Sequence, residues 1–289
     1  MGAVSLFVPA PAPAPALLAP HEPAPFRVTD GNNLSFLIVC DHAGHRVPER
    51  LGDLGMEEAD RLDHIGWDPG AAEVARRVAS RLGAPLVEGV YSRLVIDCNR
   101  YPDVRDAMPA ISDGRAVPAN ADLAEADRIA RITEIFIPYH TKIAEYLDRA
   151  LAQGVTPVLI SIHSCAPSMN GAERPWEIGV GWTRDERMSA PLIRSLEARG
   201  DVVVGDNEPY GLDVGLDFTT PEHAMARGLA HLQIEFRQDL LGTRKQAEKW
   251  ADRLTDAIEA IVDRAAWHRA EQYLGPADNL PGFAGWGRK

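Results

Sequence analysis

The chain has 289 residues, 45% of them hydrophobic, and a formal net charge of -12, the composition of a globular protein with ample core in one large or two small domains. Its acidity argues against nucleic acid as a partner, because phosphate binding needs basic stripes. Cys40, Cys98 and Cys165 are widely spaced with no CxxC pair, which excludes a disulfide framework and reads as small buried hydrophobes in a reducing, cytoplasmic setting.

The opening stretch, MGAVSLFVPAPAPAPALLAPHEPAP, is apolar, but its prolines cannot continue a membrane helix and no Lys or Arg builds a signal-peptide start. Leu6 stands where a myristoylation motif needs Ser or Thr. Residues 1–25 are expected to form a semi-extended, poorly structured Pro/Ala arm, and residues 26–289 a single α/β domain. SFLIVC (35–40) predicts a buried strand running into Asp41 and His42. Asp68-Pro69 predicts a helix start, with the carboxylate as cap and Val74, Val78 and Leu82 in one apolar row up to Gly83.

Two strand-like runs follow, 85–91 and 93–98, leading into Asn99 and Arg100, and a polar loop covers 103–120. Residues 122–153 read as helical, with Pro138 kinking one helix or opening a second. TPVLISIHSCAP (156–167) drives a continuous apolar strand into His163, as suits a sheet covered on both faces. EIGVGW, DVVVG (201–205) and LAHLQIEF (229–236) are further strands, and 187–199 a helix. Thr243 and Gln246 form a capping box for a last helix with Ala247, Trp250, Leu254, Ile258 and Ile261 on one face. Strands interleaved with long helices predict a three-layer α/β/α fold around a mixed, mostly parallel sheet.

On this map His42, Asn99, Arg100, His163 and Glu235 fall at or just after strand carboxyl ends, and Asp68 opens the following helix. Open α/β sheets keep their ligand crevice at that edge. Two histidines and a carboxylate are the ligand set of a catalytic zinc with an open position for water. The residues alone leave structural readings standing: Glu235 paired with Arg237, Arg100 paired with Asp97 or Asp103, and 206–210 as a plain turn.

Six blocks resemble the N-formylglutamate amidohydrolase family, over roughly residues 33–265: CDHAGHRVPE (40–49), HIGWDPGA (64–71), YSRLVIDCNR (91–100), SIHSCAP (161–167), GDNEPYG (205–211) and LAHLQIEFRQDL (229–240). That family is itself similar to zinc carboxypeptidases and aspartoacylases. The resemblance implies a zinc-carboxypeptidase-like fold and one Zn²⁺ or other divalent ion per chain, held by His42, Asp68 and His163. The distant relatives keep their first histidine and acid close in sequence, whereas 25 residues separate His42 from Asp68, so His45 and Asp41 are substitute ligands.

It further implies Glu235 as general base and Asn99-Arg100 as the grip on a substrate carboxylate, and Arg93 is a nearby cation that would stabilise an oxyanion. Tyr210 and Asn207 belong to a closing loop, and His223 is a second proton donor or a support. The expected substrate is a small N-acyl amino acid such as N-formylglutamate, in amino-acid catabolism and specifically histidine degradation, with no membrane or nucleic-acid partner. Two rivals remain: a metal-free amidase with Cys165 as nucleophile, and a non-catalytic module that binds acidic amino acids.

Overall fold

In the computed structural model, residues 16–261, 264–273, 280, 282 and 283 are described. The strands are β1 (Phe26–Thr29), β2 (Phe36–Cys40), β3 (Leu86–Gly89), β4 (Ile111–Ser112), β5 (Arg115–Ala116), β6 (Val158–Cys165), β7 (Ser168–Met169), β8 (Ala172–Glu173), β9 (Ile178–Gly181), β10 (Val204–Asp206) and β11 (His231–Arg237). The helices are α1 (Glu58–Arg61), α2 (Ala71–Leu82), α3 (Glu125–Arg131), α4 (Ile137–Ala152), α5 (Ser189–Glu197), α6 (Thr219–His223) and α7 (Arg244–Ala260). Seven strands make the central sheet in the order β1-β3-β2-β6-β11-β9-β10; β4 with β5, and β7 with β8, are small separate ladders. Strands β3, β2, β6 and β11 run parallel, β1 is antiparallel to β3, and β9 is antiparallel to β11 and parallel to β10.

Both faces of the central strands are covered, which is why they are continuously apolar. Phe36, Ile38, Ile160, Ile162, Leu232 and Ile234 pack against α2, α5 and α7 through Val74, Leu192, Trp250 and Leu254. Leu37, Val39, Val87 and Leu159 face the other way, onto Tyr139, Ile143 and Leu147 of α4 and onto Phe136 and Phe218. The predicted three-layer α/β/α fold is the observed one. Among the described residues no helix is long and apolar enough to cross a membrane.

Several predicted elements differ in detail. The run 93–98 is not a strand, because β1, which was not predicted, already occupies the edge of β3. Leu94, Val95 and Ile96 are buried in the second core instead. Their backbone is satisfied locally: Leu94 O accepts from Asn120 Nδ2 at 2.8 Å and Val95 O from Arg131 Nη1 at 2.9 Å. Of 201–205 only the last two residues lie in a strand. The long helical stretch passes from α3 through a π turn, Ile132–Phe136, before Pro138 enters the first turn of α4, where its missing N–H is least costly. Residues 1–15 of the predicted arm lie outside the described residues. Farther on, the Leu17 and Leu18 amides donate to Glu134 at 2.8 and 2.9 Å, and Leu17 is buried.

Candidate functional site

Strand alternation decides which side chains meet. On β6, Leu159, Ser161 and His163 share the face of the second core, and in register with them on β11 stand His231, Gln233 and Glu235. His42 follows the end of β2, and its carbonyl accepts from the Asp68 amide at 3.0 Å, which holds the two residues side by side. Asp68 does not cap α2 as predicted. That helix opens at Ala71 behind Gly70 without a side-chain cap, and the Asp68 carboxylate turns inward to accept the Ser164 amide at 3.2 Å.

Nδ1 of His42 lies 3.4 Å and Nδ1 of His163 3.0 Å from Asp68 Oδ2, and one ligand atom from each residue lies within 4.8 Å of the others. The far nitrogens are both backed by carboxylates. His42 Nε2 donates to Asp97 Oδ1 at 2.7 Å. His163 Nε2 lies 2.9 Å from Ser161 Oγ and 3.3 Å from Asp41 Oδ2. Asp41 is held in turn by the hydroxyls of Tyr139 at 2.9 Å and Thr219 at 2.7 Å. Acceptors on both Nε2 atoms leave the Nδ1 lone pairs facing an anionic oxygen, an arrangement that calls for a cation between them. The donor set therefore fits a divalent metal.

The electrostatics agree. Burial works against the charged form at each residue, but His42 and His163 hold the Asp68 carboxyl well below its ordinary range. Asp41 is brought down to about 2 in the same way, mainly by His163. Asp41 and Asp68 hold the His163 imidazolium well above its usual value against burial. Burial and Arg93 push His42 down, yet Asp97 and Asp68 keep it raised. Asp97 also receives the Arg93 guanidinium, at 2.9 and 2.6 Å. Burial lifts Glu235 to about 7 against the pull of His163, and its Oε2 has no hydrogen-bond partner among the described residues. Arg237 turns away to Asp239 at 2.8 Å, so it does not pair with Glu235.

His42, Asp68, Asp97, His163 and Glu235 line a cavity of about 580 Å³ together with Arg93, Arg100, Arg174, Tyr210 and Gln233. Nη1 of Arg100 is anchored by Asn99 O at 2.9 Å and Asp217 Oδ1 at 2.7 Å, so its partner is Asp217 rather than Asp97 or Asp103. Asn99 lines the cavity but is spent on the fold: its Oδ1 takes the amides of Phe218 and Thr219 at 3.1 and 3.0 Å, and its Nδ2 donates to Asp217. The Tyr210 hydroxyl accepts from Arg174, whose guanidinium also stacks on the Tyr210 ring.

Other predicted site residues are elsewhere. Asn207 does not line the cavity; its Oδ1 accepts the Trp182 amide at 2.8 Å. His223 is buried in the second core, 3.0 Å from His140, with whose ring it stacks. His45 packs on Trp67 beside a second, smaller cavity of about 370 Å³, so it is no substitute ligand, and Asp41 supports His163 from behind. Cys165 reaches the main cavity, but burial and the Glu235 charge push its thiol up to about 12, the opposite of what an attacking thiolate needs. Sequence reasoning missed Asp97 and Asp217 as supports and Arg174 and Gln233 as lining residues; a charged residue inside an apolar run, as in VIDC, was the available signal for Asp97.

The chain is 32% identical to the N-formylglutamate deformylase of Pseudomonas putida over 143 residues, 45% of this chain and 52% of that protein. It is 30% identical to the enzyme of the same name from Pseudomonas aeruginosa over 146 residues, 44% of this chain and 51% of that protein. The chain thus spans about half the length of these curated relatives. A solved structure of a gene product from Agrobacterium tumefaciens aligns with TM-score 0.80 at 33% identity, covering 84% of this chain and 96% of that one. The N-formylglutamate amidohydrolase of Ralstonia eutropha JMP134 shares the fold, with TM-score 0.57 at 21% identity over 81% of this chain and 96% of that one. The profile of the N-formylglutamate amidohydrolase family matches residues 34–242, and the chain belongs to that family.

Proposed function

We propose that this chain is a metal-dependent amidohydrolase acting on the amide of an N-acyl amino acid of the N-formylglutamate kind. The observation that carries the reading is the pair of Nδ1 atoms turned on Asp68, each imidazole backed by a carboxylate, beside the buried and unpartnered Glu235. A divalent ion such as Zn²⁺, held by His42, His163 and Asp68, would acidify a bound water toward neutrality and polarise the amide carbonyl.

With its carboxyl lifted to about 7, Glu235 is suited to take the proton of the attacking water and pass it to the departing nitrogen. The water oxygen bonds to the acyl carbon, the C–N bond breaks, and the proton completes the free amine. Arg93, fixed by Asp97 at the cavity wall, is the donor for the carbonyl oxygen as it gains charge. Arg100 has Nη1 tied to Asp217, which holds the rest of its fork ready for a substrate carboxylate. Asn99 acts through Arg100 by fixing the 217–219 segment. Tyr210, held by Arg174, forms the rim. The cytoplasmic setting and the place in histidine degradation belong to the same proposal.

The test joins metal content to turnover. The purified protein should hold close to one divalent ion per chain and release formate from N-formylglutamate. A chelator, or His163→Ala, should abolish both. Turnover that resists the chelator but yields to a thiol alkylator would replace this reading with the cysteine amidase. Metal without hydrolysis of any N-acyl amino acid would replace it with a binding module.

A further inference from the structure

Strand β11 carries a second polar side chain on the face that bears Glu235. Gln233 precedes it by two residues, opposite Ser161 as Glu235 is opposite His163, so the two side chains stand about 6.6 Å apart along the strand. Gln233 is 3% exposed and lines the cavity. Its Oε1 has no hydrogen-bond partner among the described residues. The neighbours do not supply one. Ser161 Oγ is engaged by His163 and Asp41, and on the β9 side the residue in register is Gly181, which has no side chain to offer. An orphaned acceptor in a core lowers stability, and leucine or methionine would fill the position without that penalty. The molecule keeps an unpartnered polar group where its cavity meets its base.

We propose that Gln233 is a substrate-positioning residue whose carboxamide, turned half a rotation about its terminal bond, presents Oε1 to the cavity and accepts a hydrogen bond from the N–H of the scissile amide. The inference rests on the amidohydrolase reading above and extends it to substrate class: a secondary amide, with ester and tertiary amide analogues disfavoured. Holding the N–H on the Gln233 side leaves the nitrogen lone pair, as it forms, turned toward Glu235, from which the proton arrives. A site built to bond a substrate N–H discriminates against an analogue that lacks it, because its own polar group is then left unpaired.

The experiment compares wild type with Gln233→Leu and with Gln233→Met, an unbranched side chain of similar length, as metal-loaded full-length enzymes. Four quantities are measured: kcat/KM on N-formylglutamate, kcat/KM on the analogue with an ester oxygen in place of N–H, the thermal midpoint and the metal per chain. Both variants should lose about tenfold or more on the amide and remain within about twofold on the ester. Their midpoints should equal or exceed that of wild type, with metal content unchanged. Equal losses on the two substrates, no loss, or a lowered midpoint with lost metal would each overturn the inference, the last by showing a structural role. Wild type that hydrolyses neither compound overturns the amidohydrolase reading, and this inference with it.

Discussion

A histidine ligand is set by what its other nitrogen does. At His163 the far nitrogen meets Asp41 Oδ2, while Asp41 Oδ1 is engaged by Tyr139 and Thr219. Asp41→Asn keeps the volume and the Oδ1 acceptor but turns an N–H toward Nε2. The imidazole must then carry its proton on Nδ1, where a metal needs the lone pair. Metal affinity should fall about 10- to 100-fold with the fold intact. Chelator competition measures it, and an unchanged dissociation constant would mean that Nδ1 of His163 is not a ligand atom. At this scale the sequence was readable for placement, as for His42, His163 and Glu235, which stand at strand ends and meet at one cavity. It was not readable for Asp41, Asp97 and Asn99. Their roles depend on which atom faces which, and Asn99 spends its carboxamide on backbone groups more than a hundred positions away.

At the level of elements, the site depends on how closely β3 approaches the loop after β2. A Cβ placed on Gly89 would lie 2.2 Å from the Asp41 carbonyl oxygen. Both partners in that clash are backbone, so no rotamer change relieves it. Gly89→Ala should therefore displace Asp41 and cost about 1–3 kcal/mol, with a lower urea midpoint. Because Asp41 backs His163, metal affinity should fall in parallel; loss of stability with metal binding untouched would show that the loop shifts without its side chain. Periodicity was a good guide to β2, β6, β11 and the capped α7, whose Thr243 hydroxyl accepts the Gln246 amide at 3.3 Å. It failed at 93–98, where hydrophobicity reports burial and not pairing. An apolar run is the same in sequence whether it meets a sheet edge or a second core, and only the arrival of β1 at the edge of β3 decides.

Over the whole molecule, the second core couples stability to pH through histidines that the catalytic reading does not use. Nε2 of His140 donates to Cys98 O at 2.8 Å, and its Nδ1 lies 3.0 Å from Nε2 of His223. The remaining nitrogen, His223 Nδ1, has no partner among the described residues. A proton added to either ring would meet another N–H or an apolar wall. Burial accordingly brings His140 down to about 4, with the Asp41 charge opposing, and holds His223 well below its ordinary value, aided by His140 and Arg227. Both folded values lie below the unfolded one, so the unfolded chain binds more protons, and the stability these groups contribute is complete above about pH 6.5 and lost as pH falls. Between pH 7 and pH 5 the loss is about 2 kcal/mol for His140, and His223 adds to it in the same direction. Asp41, held at about 2, acts in a separate window below about pH 4. His140→Gln keeps a donor for the Cys98 carbonyl and removes one titrating group, so it should flatten the profile by the slope of about one proton. Urea unfolding of the metal-loaded protein across this range measures the effect; an unchanged slope in His140→Gln would mean that the ring is already charged in the folded core.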